Sequence, residues 1–393
     1  MKKRLSQAAY YKNEQFNPTA FCIETDHAFS DHFQKRMNLY ERRLKIPRGF
    51  WKGASVLEVG CSSGENSLIL ASLGARFTFV DPMAASLDRL QKLFQEKGLS
   101  PSIQESIVGE IERVPLKSKY DAVIAEGFLY TLAERKKVIN ALSESLNPYG
   151  LLFISTLEPI GCFAEFFKKI VLFSLCRAMD AQSIEDKLKV AADLFAEDYE
   201  HIPHSRPFAS WVKDNFLNPT FDHVSLWSIR NILADISAVP VRVFSSWPRH
   251  DHANELTWYK SVLSASQEKK LMLEAYTKRL PSFLHGRTLE DGFPLPSLKQ
   301  AKKFEGAVLK TMRAMHQYMV SDTVSLAGVK RPLKEVCRIS RQLPDKAVLI
   351  PIMNECARLL EGATVKGYKS AKHLRACWGV CYPYYVLQTT TPG

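Results

Sequence analysis

The stretch Val56-Leu57-Glu58-Val59-Gly60-Cys61-Ser62-Ser63-Gly64 decides the fold. Its first four residues form a short apolar run suited to a buried strand, and residues 66–73 beyond it carry a helical pattern. Gly60 and Gly64 lie in the turn between them, where a backbone without Cβ atoms can bend sharply and come close to a ligand. A strand that turns into a helix also gathers N–H groups and the positive end of the helix at one point. Outward from there, residues 76–80, 120–125 and 151–156 read as strands, and 86–97 and 133–146 as helices. Strands alternating with helices predict an α/β fold, a mostly parallel sheet with helices on both faces.

A second placed feature gives the turn a chemical meaning. Asp81 ends the second strand, 17 positions after Gly64, where a carboxylate can accept hydrogen bonds from ribose hydroxyls. Alone, a carboxylate before Pro82 reads equally as an ordinary turn residue. A nicotinamide site would ask for Gly-x-Gly-x-x-Gly, and Gly60-Cys61-Ser62-Ser63-Gly64-Glu65 lacks two of those glycines.

The run 56–64, with Phe79-Val80-Asp81-Pro82 after it, resembles the class I, Rossmann-like S-adenosylmethionine-dependent methyltransferases. Residues 108–116, Tyr120-Asp121-Ala122-Val123 and Leu146-Asn147-Pro148-Tyr149-Gly150 continue the likeness. The resemblance implies S-adenosyl-L-methionine as cofactor. Its methionine end would be held by Glu58 and the turn Gly60-Cys61 to Gly64, its ribose by Asp81 beside Pro82, and its adenine by Glu110 and Ile111. Ala125 and Glu126 would close the site near the sulfonium. Three positions depart from the family pattern: Ser62 stands for a frequent glycine, Glu110 for the usual Asp, and Leu151 for a second glycine. Asn147-Pro148-Tyr149 resembles a motif of amino-group methyltransferases but precedes the fifth strand, whereas that motif follows the fourth, and it is read as a turn.

Around this core the expected organisation is a helical N-terminal segment (1–51), a cofactor-binding domain (52–265) with a helical lid insertion (157–222), a linker (266–297) and a basic, mainly helical C-terminal region (298–393). Further strands are expected near 241–245 and 256–262. The lid offers His201, His204 and Asp214 as acceptor-side candidates; a His there suits a base, and the plainer reading is a surface or hydrogen-bonded role. Phe163, Phe166, Phe167, Ile170 and Val171 make an apolar stretch that is either a core-facing helix or a greasy lid.

Residues 266–393 hold 21 Lys and Arg against 10 Asp and Glu, whereas the rest of the chain is nearly balanced. That asymmetry suits anionic partners, RNA among them, or else a solvated helical surface; Tyr382, Tyr384 and Tyr385 would stack on bases or pack in a closing strand. No run of about 18 apolar residues suggests a membrane span. Eight scattered cysteines, with no export signal and no zinc-like spacing, predict a reducing cytoplasm. The expected activity is O- or N-methylation of a small-molecule acceptor, sugar-containing or apolar metabolites included. The alternatives are RNA methylation through the basic region and cofactor binding without catalysis.

Overall fold

In a computed structural model the chain is described over residues 9–10, 19–116, 118–202, 206–219, 226–249, 263–286, 294–321 and 325–390. One sheet contains β1 (Ser55–Val59), β2 (Arg76–Asp81), β3 (Ile103–Val108), β4 (Tyr120–Ala125), β5 (Leu146–Ser155), β6 (Val241–Trp247) and β7 (Tyr384–Thr389). Their order is β3-β2-β1-β4-β5-β7-β6. The pairs from β3 to β5 are parallel, and β7 runs antiparallel to both of its neighbours. Helix α1 (Asp26–Met37) precedes the sheet, and α2 (Glu65–Ser72), α3 (Ala84–Glu96) and α4 (Arg135–Glu144) connect its first strands.

Period-two alternation sorts the strand side chains between two cores. Val56, Phe77 and Phe79 pack with Trp51 and Phe94 on one face, while Leu57, Val59 and Val123 pack with Ile139 on the other. The sheet is therefore covered on both sides, as expected of its parallel part. Asn147-Pro148-Tyr149-Gly150 is not a free turn. It lies inside β5 as an irregularity, with Tyr149 at φ 62° and the pairing with β4 broken between Tyr120 and Ala122.

The described residues of 157–222 contain the helices α5 (Phe163–Ala178), α6 (Ile184–His201) and α7 (Phe208–Val212), and α8 (Ile229–Asp235) follows. Phe163, Phe166, Phe167, Ile170 and Val171 are all buried, so the apolar stretch is a core helix and the greasy-lid expectation does not hold.

The main departure concerns the C-terminal third. The expected linker is largely α9 (Ala265–His285), begun by a capping box between Ser264 and Gln267 and ended by Gly286 in the left-handed region. Met272, Tyr276, Leu280 and Phe283 recur at helical spacing on its buried side, and that burial outweighs the break signal of Pro281. Helices α10 (Leu298–Val320), α11 (Ala327–Ser340), α12 (Lys346–Glu361), α13 (Val365–Lys369) and α14 (Lys372–Arg375) follow, and the chain then returns to the sheet as β7. The basic region is thus an excursion between two strands of one sheet, not an appendage beyond it. Tyr385 is fully buried within β7, which sets aside base stacking for that residue. The strand expected at 256–262 lies outside the described residues.

Two devices seat the end of the excursion against α5 and the turn before it. Gly161 and Gly379 meet backbone to backbone with no room for a side chain on either. Lys168, fully buried in α5, donates to the carbonyl oxygens of Arg375 (3.1 Å) and Cys377 (2.9 Å) and lies over the ring of Trp378. Among the described residues no helix is long and apolar enough to cross a membrane.

Candidate functional site

The turn after β1 is built on left-handed backbone. Gly60, Ser62 and Gly64 have φ of 69°, 51° and 84°. Ser62, in place of a frequent glycine, adopts the conformation that glycine takes without strain, at a cost of order 1 kcal/mol. Its N–H donates to Asp81 Oδ2 at 3.0 Å, and the N–H of Met83 donates to Oδ1 at 2.9 Å, so the carboxylate that ends β2 is fixed by backbone. Burial raises the Asp81 pKa and these two bonds oppose the rise. Gly60 also admits a close neighbour, because a Cβ there would lie 2.8 Å from the ring of Phe128.

Glu58 faces the same end of the sheet and is 6% exposed. Its Oε2 has no hydrogen-bond partner among the described residues. Burial pushes its pKa up to about 7, with Glu126 and Asp81 adding to the rise and Arg36 opposing it. Ile111 is buried beside the end of β3, whereas Glu110 is exposed and paired with Arg113 at 3.4 Å. Cys61 and Ala125 are buried, and Pro82 is exposed. A surface recess is lined by Ile111, Val114 and Leu116 but by none of Glu58, Gly60, Asp81 or Glu126.

Not foreshadowed in the sequence, the N-terminal segment covers this edge. Arg36 of α1 is 9% exposed and reaches both oxygens of Glu126, at 2.8 and 3.1 Å. It also bonds to the Tyr40 hydroxyl, which itself donates to Glu126 at 3.0 Å. Thr19 donates to Glu65 at the start of α2, at 2.9 Å. The helical spacing of Arg36 and Tyr40 was visible, but their partner lies 90 and 86 residues away and leaves no local signal.

Four residues past Glu126 in the chain, Tyr130 approaches Tyr382, with ring centres 6.4 Å apart. The half-buried Glu165, in the first turn of α5, adds to the rise in the Tyr382 pKa and has its own pKa raised by burial. Of the lid candidates, Asp214 is buried and salt-bridged to Arg206 at 2.5 Å. His201 is exposed at the end of α6, with Nδ1 2.6 Å from the Glu197 carbonyl oxygen of its own helix. That leaves its imidazole engaged locally. His204 lies outside the described residues.

A second buried carboxylate stands just past β5. Glu158 is 1% exposed and accepts the Tyr276 hydroxyl at 2.5 Å, and burial pushes its pKa up to about 7 from an ordinary 4.5. The folded state therefore holds a proton that the unfolded chain releases. Its contribution to stability is full below about pH 4.5 and is lost as pH rises through about 7. Glu158→Gln keeps an acceptor for Tyr276 but removes the ionisation. Its unfolding free energy is expected to fall less steeply between about pH 5 and 8, by roughly 3 kcal/mol at most. Denaturant titrations across that range check this; equal slopes in the two proteins would show that Glu158 titrates as an ordinary carboxylate.

The buried unsatisfied oxygen of Glu58 and the fixed carboxylate of Asp81 together fit the charged and hydroxyl groups of S-adenosylmethionine. Residues 57–154 match the family model of the methyltransferase domain. Over 111 residues the chain is 30% identical to a cypemycin N-terminal methyltransferase of a Streptomyces species, covering 27% of this chain and 43% of that protein. Over 109 residues it is 35% identical to a ubiquinone biosynthesis O-methyltransferase of Xanthomonas oryzae, covering 27% and 44%. It is 25% identical over 239 residues to protein arginine N-methyltransferase 1 of Saccharomyces cerevisiae, covering 59% and 64%. The chain thus spans about half the length of most of these relatives. Among solved structures, the N-methyltransferase NodS of Bradyrhizobium japonicum with S-adenosyl-L-homocysteine is similar at a TM-score of 0.32 and 16% identity, covering 41% of this chain and 76% of that one.

Proposed function

With residues 57–154 a class I S-adenosylmethionine-dependent methyltransferase domain, we propose that the whole chain is an enzyme that methylates the oxygen or nitrogen of a small molecule. The observation that carries this reading is the enclosure of the edge beside the cofactor residues. Arg36, Tyr40 and Glu126 form a nearly buried roof, and a site closed in this way suits a compact acceptor better than a polymer.

Glu58 would meet the ammonium of the cofactor, Asp81 its ribose diol, and Ile111 the adenine face. The cofactor, when bound, supplies an electrophilic methyl group. What the chain must then do is hold the acceptor nucleophile in line with that methyl and keep water away, and positioning of this kind supplies much of the rate. Tyr130 and Tyr382 form the apolar wall for this task. Where the acceptor has a proton to lose, we assign its removal to Glu165, the carboxylate in the first turn of α5 that acts on Tyr382 and whose pKa burial raises. Asp214, held by Arg206, would shape the wall instead.

Incubation with cofactor radiolabelled on its methyl group and a fractionated cell extract is expected to put label into the small-molecule fraction. Glu165→Gln should lower that incorporation by about a hundredfold at unchanged cofactor affinity. Label in RNA or protein would replace the small-molecule reading, and label nowhere would favour binding without catalysis.

A further inference from the structure

Helices α10 and α11 lie side by side and antiparallel, in a register fixed by the 2.8 Å bond from Gln300 Nε2 to the carbonyl oxygen of Gln342. Along α10 the exposed positions Lys299, Lys303, Lys310 and Arg313 fall on one line, which Gly306 and Gln317 also share. At 1.5 Å per residue this row is about 20 Å long. Along α11, Arg331, Lys334, Arg338 and Arg341 form a second exposed row. Packed helices stand about 8 to 10 Å apart, so the two rows make one narrow basic face.

Acidic groups relieve little of this charge. Glu335 lies between the rows and is bonded to Arg338 at 2.6 Å, while Lys310 and Lys303 act on it from the other helix. Glu361 pairs with Lys330 at the margin, at 2.8 Å. Like charges set this close repel one another in the folded protein, and an anionic surface laid against them removes that repulsion.

Two observations decide which polyanion fits. The aromatic residues of these helices, Phe304 and Tyr318, are 0% and 7% exposed, so the face has no platform on which bases would stack. Val320, three residues after Gln317 on the α10 line, is 67% exposed and offers an apolar tip in line with the cations. Basic rows ending in an exposed apolar residue suit the headgroup boundary of a bilayer. We propose that the α10–α11 face docks the protein on anionic phospholipid membranes. This assignment is independent of the methyl-transfer reading.

The full chain is tested by co-sedimentation with vesicles of phosphatidylcholine containing phosphatidylserine and with vesicles of phosphatidylcholine alone. Binding is expected with the first and not the second, and should disappear in molar salt. The quadruple variant Lys303→Glu, Lys310→Glu, Lys334→Glu, Arg341→Glu should lower the partition coefficient by at least about a hundredfold, since each cation contributes about fivefold. All four side chains are exposed, and retained cofactor affinity shows that the variant is folded. Should it not fold, the salt titration of the unaltered protein decides. Equal binding to neutral vesicles, binding that survives molar salt, or no vesicle binding would each overturn the proposal. Salt-sensitive RNA binding without vesicle binding would overturn it in favour of nucleic acid.

Discussion

Asp81→Ala is expected to weaken S-adenosylmethionine binding by two to four orders of magnitude, measured by calorimetry. The wild-type carboxylate is 4% exposed and pinned by the N–H groups of Ser62 and Met83, so its orientation is set before any ligand arrives. Its remaining lone pairs would take two ribose hydroxyls. Hydrogen bonds to a charged group contribute about 1.5–3 kcal/mol each, and the loss of two spans the stated range. Alanine also strands two backbone donors, so Asp81→Asn is the useful companion. It keeps one acceptor oxygen and should lose about half as much binding free energy. If both variants bind as tightly as the wild type, the ribose does not lie at the end of β2.

Deleting residues 384–393 should abolish cooperative unfolding altogether, although the deletion lies more than 200 residues beyond the matched domain. Strand β7 sits between β5 and β6, so its removal exposes the backbone edges of both. Tyr385, Val386 and Leu387 are fully buried, and burial of such side chains contributes about 1.5–3 kcal/mol each. With the lost ladder bonds, the deficit approaches the whole stability of a typical domain, about 5–15 kcal/mol. Calorimetric scans and near-ultraviolet circular dichroism provide the test. A truncated chain with a sharp transition and intact cofactor binding would show that β7 is dispensable.

The candidate cofactor residues were proposed from local signals. Apolar strands, two glycines and an acidic strand end lie within 56–81, and the helix that follows is next in sequence. The same locality explains Ser62, whose left-handed backbone accounts for a position where glycine is frequent. β3 was not legible as a strand, since Gln104 and Glu105 are exposed on this sheet edge and break the apolar alternation. Tyr384 and Tyr385 allowed either a strand or a stacking surface, and the choice depended on partners in β5 and β6 far away in sequence. In α9, Pro281 and Gly286 are outweighed by a buried helical row of apolar residues. The roof over the site depends on the pair Arg36–Glu126, and long-range pairs of this kind have no sequence signature.

The late return of β7 also sets a schedule for biosynthesis. About 230 residues separate the end of β5 from the start of β7. At typical elongation rates of about 5–20 residues per second, the ribosome needs roughly 10 to 45 seconds to cross that distance. Throughout this interval β5 has been made and its eventual partner has not, so an apolar strand edge stays open to other nascent chains. Contacts of such large sequence separation also form slowly once both strands exist. The protein should therefore depend on chaperones that shield nascent chains more heavily than a methyltransferase whose seven strands follow one another closely.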